Sequence, residues 1–130
     1  MNTESTGIDE TYDPPFPWCL VRIYNLPKTR NTAVRGYIDT GSDGTVVTTD
    51  IDTKLGLHNH PITVAEIKSI GGKPEERVLY AAIFIIKGVE TVAAVDIRDY
   101  VEEILLGRDI LRHLSLSIDW KRRTINLRDP

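Results

Sequence analysis

Several features that would fix the class of this chain at once are missing. Among its 130 residues there is one cysteine, Cys19, which excludes an internal disulfide framework and a thiolate metal cluster. No apolar run approaches the roughly 20 residues that a membrane helix needs, and the polar N-terminus does not read as a secretory signal. Net charge is −3, and the basic residues are scattered except at Lys121-Arg122-Arg123, a poor footprint for nucleic acid. His58 and His60 lie two apart with no third ligand nearby, so no metal is expected. The regular alternation of strands with helices that marks a parallel α/β domain is also absent. These absences predict a soluble, cytoplasmic protein of one domain, without a metal or organic cofactor and without a membrane or nucleic-acid partner.

What remains is a series of short apolar runs cut by turn residues. Residues 1–17 are polar, end in Pro14-Pro15-Phe16-Pro17 and have no period, and read as a flexible N-terminal arm. The domain proper is residues 18–130. Strands are expected over Trp18–Tyr24, Ala33–Asp39, Thr45–Thr49, Ile62–Ile70, Arg77–Ile86, Thr91–Asp96, Leu116–Ile118 and Thr124–Leu127. Asp50–Gly56 holds one or two helical turns, with Asp50 as cap and Gly56 as stop, and Asp109–Leu114 is a second short helix. Gly71-Gly72 between two strand-like runs predicts a β-hairpin, because glycine supplies the positive φ of a tight turn. The fold class predicted is all-β: a small closed β-barrel with one or two short helices and a projecting hairpin.

The stretch that organises the chain is Val34–Thr48, V R G Y I D T G S D G T V V T. A hydrophobic strand delivers Asp39 into a turn, and a second β-branched run leads away. Thr40 can hold the turn with its hydroxyl, and Gly41 lets another backbone come close. On the residues alone, Asp-Thr-Gly fits an ordinary turn as well as it fits a carboxylate presented for chemistry. Ser42 carries no base or oxyanion signature that would make it a nucleophile, and Cys19 sits in an apolar strand as a small buried residue would.

The local pattern resembles the active-site loop of the aspartic proteases. A second segment, Ile104-Leu105-Leu106-Gly107-Arg108-Asp109-Ile110-Leu111, follows at the distance expected for a small member of that group. With the glycine-tipped hairpin between them, these features resemble a single subunit of the retroviral-type (retropepsin-like) aspartic proteases over roughly Trp18 to Leu127. The resemblance implies that Asp39, Thr40 and Gly41 are catalytic. It implies that Ser42, Asp43, Ile70, Gly71 and Gly72 contact substrate, the last three on a flap. Gly107, Arg108 and Asp109 would support the loop, with Arg108 pairing Asp43. The chain holds only one Asp-Thr-Gly, so the resemblance implies a homodimer in which Asp39 faces its own copy. Joined terminal strands are expected, with Thr124–Leu127 the best candidate. The activity implied is that of an aspartic endopeptidase acting on an extended peptide or protein substrate. A catalytically silent dimeric peptide-binding or scaffolding protein of the same fold is the alternative.

Overall fold

The computed structural model describes residues 5–68 and 71–130. Ten strands, two short α-helices and one 3-10 turn follow in the order β1 (Thr6–Asp9), β2 (Phe16–Tyr24), β3 (Asn31–Ile38), β4 (Val46–Thr48), α1 (Thr49–Leu55), the 3-10 turn Leu57–Asn59, β5 (Pro61–Ile67), β6 (Glu75–Ile86), β7 (Val89–Arg98), β8 (Ile104–Leu106), α2 (Arg108–Leu111), β9 (Ser115–Asp119) and β10 (Thr124–Arg128). No helix among the described residues is long and apolar enough to cross a membrane.

The expected closed barrel is not what forms. Eight strands make a sheet in the order β1-β2-β3-β8-β4-β7-β6-β5, with β1 and β5 at its two ends. Closure would require those ends to pair with each other. Instead the sheet curls until β2 meets β6 over three residue pairs, Arg22–Tyr24 against Ile83–Ile85, while β1 and the β5 side run on past that contact. The reason lies in β6, which is twelve residues long and serves two neighbourhoods. Its second half, with Ala81, Ala82, Ile83 and Phe84 buried, belongs to the core; its first half is largely exposed and pairs β5. β9 and β10 form a separate two-stranded sheet.

The core joins Val21 and Ile23 of β2, Val47 of β4, Ile51 and Leu55 of α1, Leu57, Phe84 and Ile86 of β6, Val95 of β7, Leu106 of β8 and Ile110 of α2. Helix α1 ends where expected: Gly56 adopts φ +67, and its N–H bonds the Asp52 carbonyl. Two further departures concern element identity. Within the segment expected to hold no element, Thr6–Asp9 is a strand, paired antiparallel to Phe16–Cys19. Trp18 accounts for the pairing: a Cβ on Gly7 would sit 2.7 Å from its indole, so glycine there lets β1 lie flat on the ring. The loop expected at His58-Asn59-His60-Pro61 is split between the 3-10 turn and the start of β5.

Candidate active site

The Asp39 turn is built by the two strands around it. Gly36, Tyr37 and Ile38, the last residues of β3, are buried because β8 lies on one side of them and β2 reaches along the other. β3 thus ends inside the sheet and delivers Asp39 from a fixed position. β8 is inserted between β3 and β4, pairing both, so the turn from Asp39 to Thr45 must bridge over it. The residue leaving β8 is Gly107, and its path passes against the turn. A Cβ at Gly107 would lie 2.2 Å from the carbonyl oxygen of Gly44. Only glycine allows this approach.

A set of hydrogen bonds locks the two segments together. Asp39 N–H donates to the Leu106 carbonyl (3.0 Å), Arg108 N–H to that of Ser42 (2.9 Å), and Asp109 N–H to that of Asp43 (3.3 Å). The buried Thr45 hydroxyl accepts from Gly107 N–H at 3.1 Å and donates to the Asp109 carboxylate at 2.8 Å. Asp109 also accepts from Ile110 N–H (2.9 Å), tying the start of α2 to the same unit. The Ser42 hydroxyl donates to the Gly44 carbonyl at 2.7 Å. Arg108 and Asp43 form an ion pair, with both side chains largely in solvent (57% and 92% exposed).

Asp39 itself is half-buried, and its Oδ1 accepts from Gly41 N–H at 3.2 Å. Among the described residues its carboxylate takes part in no ion pair. The other partly or fully buried aspartates are all engaged: Asp9 with Tyr37 and Thr11, Asp52 with His58, Asp96 with two arginines, Asp109 with Thr45, and Asp119 with Arg122. Asp39 is thus the half-buried aspartate whose carboxylate meets no side chain among the described residues. The Thr40 hydroxyl, expected to hold the turn, is exposed and makes no hydrogen bond among the described residues; the Ser42 N–H bond to the Asp39 carbonyl (3.2 Å) closes the turn instead.

Of the residues singled out from sequence, Asp39, Thr40, Gly41, Ser42, Asp43, Gly107, Arg108 and Asp109 converge in this one unit. Gly71 and Gly72 sit apart from it, in the connection between β5 and β6, with Gly71 at φ +75. Ile70 lies outside the described residues. Two members escaped the sequence reading. Thr45, expected only as the start of a strand, supplies the hydroxyl that bridges Gly107 and Asp109, as a threonine just after a tight turn can. Gly44 is half of the backbone contact with Gly107. Cys19 is fully buried, and desolvation pushes its thiol up to about 12, so it offers no thiolate.

The chain matches no protein-family model and no curated protein. Solved structures do match. The EIAV protease, in complex with the inhibitor HBY-793, aligns over 75% of this chain and 86% of its own, with 25% identity and a TM-score of 0.52. A retropepsin-like aspartic protease from Rickettsia conorii aligns over 98% and 97%, with 15% identity and a TM-score of 0.62. The foamy viral protease–reverse transcriptase, solved with an RNA/DNA hybrid, aligns over 77% of this chain and 13% of its own, with 16% identity and a TM-score of 0.50. At these identities what is shared is the fold, and the chain is therefore related to the retropepsin-like aspartic proteases at the level of the superfamily.

Proposed function

We propose that the chain is an aspartic endopeptidase that works as a homodimer, each copy supplying one Asp39. The observation that carries this reading is the half-buried Asp39 carboxylate, delivered from the interior of the sheet, held by a backbone N–H and bound to no cation among the described residues. The fold shared with known retropepsin-like proteases supports the same reading.

The chemistry follows from pairing two such carboxylates about a two-fold axis. Like charges placed together do not both ionise easily, so the pair shares one proton across part of the pH range. The ionised Asp39 takes a proton from a water held between the pair, and that water adds to the scissile carbonyl. The protonated Asp39 donates to the carbonyl oxygen, giving a neutral tetrahedral diol. Collapse breaks the C–N bond as one Asp39 carboxyl passes a proton to the leaving amine and the other, ionised Asp39 takes a proton from a diol hydroxyl. No covalent enzyme intermediate forms. In this reading Ser42 and Asp43 line the floor of the cleft, and Gly71 and Gly72 belong to a flap that closes over an extended peptide.

The test is cleavage of a mixed peptide library across pH by the wild-type chain and by Asp39→Asn, with circular dichroism on both. Turnover should vanish in the variant while the fold persists, since the amide is nearly isosteric but cannot act as a base. A folded Asp39→Asn protein that still cuts would end the reading. Sedimentation velocity with specific activity over one dilution series tests the dimer: a monomer retaining full specific activity would refute a site shared between copies.

A further inference from the structure

Asp96 lies on β7, is only 3% exposed, and its carboxylate takes no part in the Asp39 turn's own hydrogen bonds. A buried carboxylate is costly to desolvate, so its partners indicate its use. Its Oδ1 accepts from Arg77 Nε at 3.0 Å and its Oδ2 from Arg98 Nε at 2.6 Å. Glu75 closes the group, 3.4 Å from a guanidinium nitrogen of each arginine. Arg98 also donates to the Tyr100 hydroxyl at 2.8 Å, and its pKa is raised, chiefly by the Asp96 hydrogen bond.

The location of this cluster matters more than its strength. β7 pairs β6 from Val89↔Ile86 to Val95↔Tyr80, and from Asp96 onward it pairs β4 instead. Beyond Tyr80, the first half of β6 runs with β5 alone as the hairpin. On β5 the register shifts between Pro61 and Thr63, opposite that same Tyr80. A ladder that ends on one strand, level with an irregularity on the other, leaves a place where the sheet can bend. The side chains of Arg77 and Glu75 reach back across it. Arg77 Nη2 donates to the Ile97 carbonyl at 2.9 Å, two residues past the last β6–β7 pair, so a guanidinium stands in for the missing ladder bond. On the far side, Asp96 N–H donates to the Thr45 carbonyl at 3.1 Å, joining the clamp to the residue that braces Gly107 and Asp109.

We propose that Asp96 is a positioning residue that, through Arg77 and Arg98, sets how far β5 and the part of β6 paired with it swing from the sheet and so how tightly they close over bound peptide. The last clause rests on the peptidase reading; the clamp itself does not. Amide hydrogen exchange and steady-state peptide hydrolysis on the same preparations test it. In Asp96→Asn, exchange over Pro61–Ile67 and Glu75–Leu79 should quicken by about tenfold, with β2 and β3 within about twofold of wild type. KM should rise by about tenfold with kcat within about threefold, since closure on substrate is weakened while Asp39 is untouched. Unchanged hairpin exchange in a folded Asp96→Asn chain overturns the proposal, as does loosening of every strand in step. If Asp96→Asn does not fold, Glu75→Gln replaces it: this half-exposed outer link should quicken hairpin exchange about twofold to threefold, and no change would overturn the clamp. A wild-type chain that cuts no peptide but whose hairpin responds to these variants would fail the peptidase reading and keep the clamp. An active enzyme with an unresponsive hairpin would do the reverse.

Discussion

Replacing Gly107 by alanine tests the central structural claim, that the Asp39 turn is held by a backbone-to-backbone contact. The added Cβ would lie 2.2 Å from the Gly44 carbonyl oxygen, 2.5 Å from its carbon and 3.0 Å from its nitrogen. All three are main-chain atoms, so no rotamer change relieves them, and ordinary contact requires a shift of about 1 Å. Backbone strain at Gly107 is not involved, because its φ of −90 suits any residue. A shift of that size breaks the bonds that lock the segments: Gly107 N–H to Thr45 (3.1 Å), Arg108 N–H to Ser42 (2.9 Å) and Asp109 N–H to Asp43 (3.3 Å). Three hydrogen bonds at about 1 kcal/mol each, with about 1–3 kcal/mol for overpacking, give a loss of about 4–6 kcal/mol, softened to about 3–5 where the loop relaxes. Urea melts at fixed protein concentration measure it. Gly44→Ala is the control: its Cβ would meet nothing within 4 Å, and it should stay within about 0.5 kcal/mol of wild type. A Gly107→Ala chain losing less than about 1 kcal/mol would show that the two backbones do not press on each other, and the account of the locked turn would fall.

Three further outcomes follow from the same unit and its surroundings. Thr45→Val removes a buried hydroxyl, strands the Gly107 N–H and takes from Asp109 Oδ1 one of its two hydrogen bonds, so melts should show a loss of about 2–4 kcal/mol, largely recovered by Thr45→Ser. Arg108→Ala should cost no more than about 1 kcal/mol in the dilute chain, because its pair with Asp43 is solvated; a loss near 3 kcal/mol would mean that a second copy desolvates the pair. Asp9 titrates below the ordinary aspartate range, held down by the hydroxyls of Thr11 and Tyr37. Its folded pKa is depressed, so its stabilisation is complete above the unfolded value and is lost as pH falls through the folded one; Asp9→Asn should flatten the acid limb of a stability–pH curve.

Local chemistry made much of this molecule legible in its sequence. The Gly56 stop of α1 rests on a short-range rule that tertiary packing did not override, whereas the convergence of the Asp39 and Gly107 segments follows from the resemblance and from neither segment's local chemistry. What was not legible depends on distant partners. Thr6–Asp9 carries little strand propensity of its own and becomes β1 because β2 offers Trp18 as a platform for Gly7. The curl of the sheet could not be read either. The Arg77–Ile86 run gives no sign that its two ends serve different neighbours, and whether the end strands meet depends on where β6 changes partner.

Asp96 shows the same limit at the level of single residues. In sequence it is one aspartate at the end of an apolar run, without a turn motif, and nothing nearby predicts burial. Its meaning arises only because β7 changes partner there, from β6 to β4, leaving the β6 side of the strand without a ladder. A charged residue at that point can be satisfied by a side chain reaching from the departing strand: Arg77 reaches Asp96 from β6, and Glu75, two residues away on the same strand, pairs with both arginines that hold it. Past the last main-chain pair the hairpin root is held by side-chain bonds, which single substitutions can weaken without removing a strand from the sheet. The Asp39 turn is held in the opposite way, by main-chain contacts at Gly44 and Gly107 that tolerate no added atom. One half of the candidate site is fixed by backbone and the other by exchangeable charges. In the proposed peptidase that division would supply a floor that keeps its carboxylate in place and a cover that opens to admit substrate.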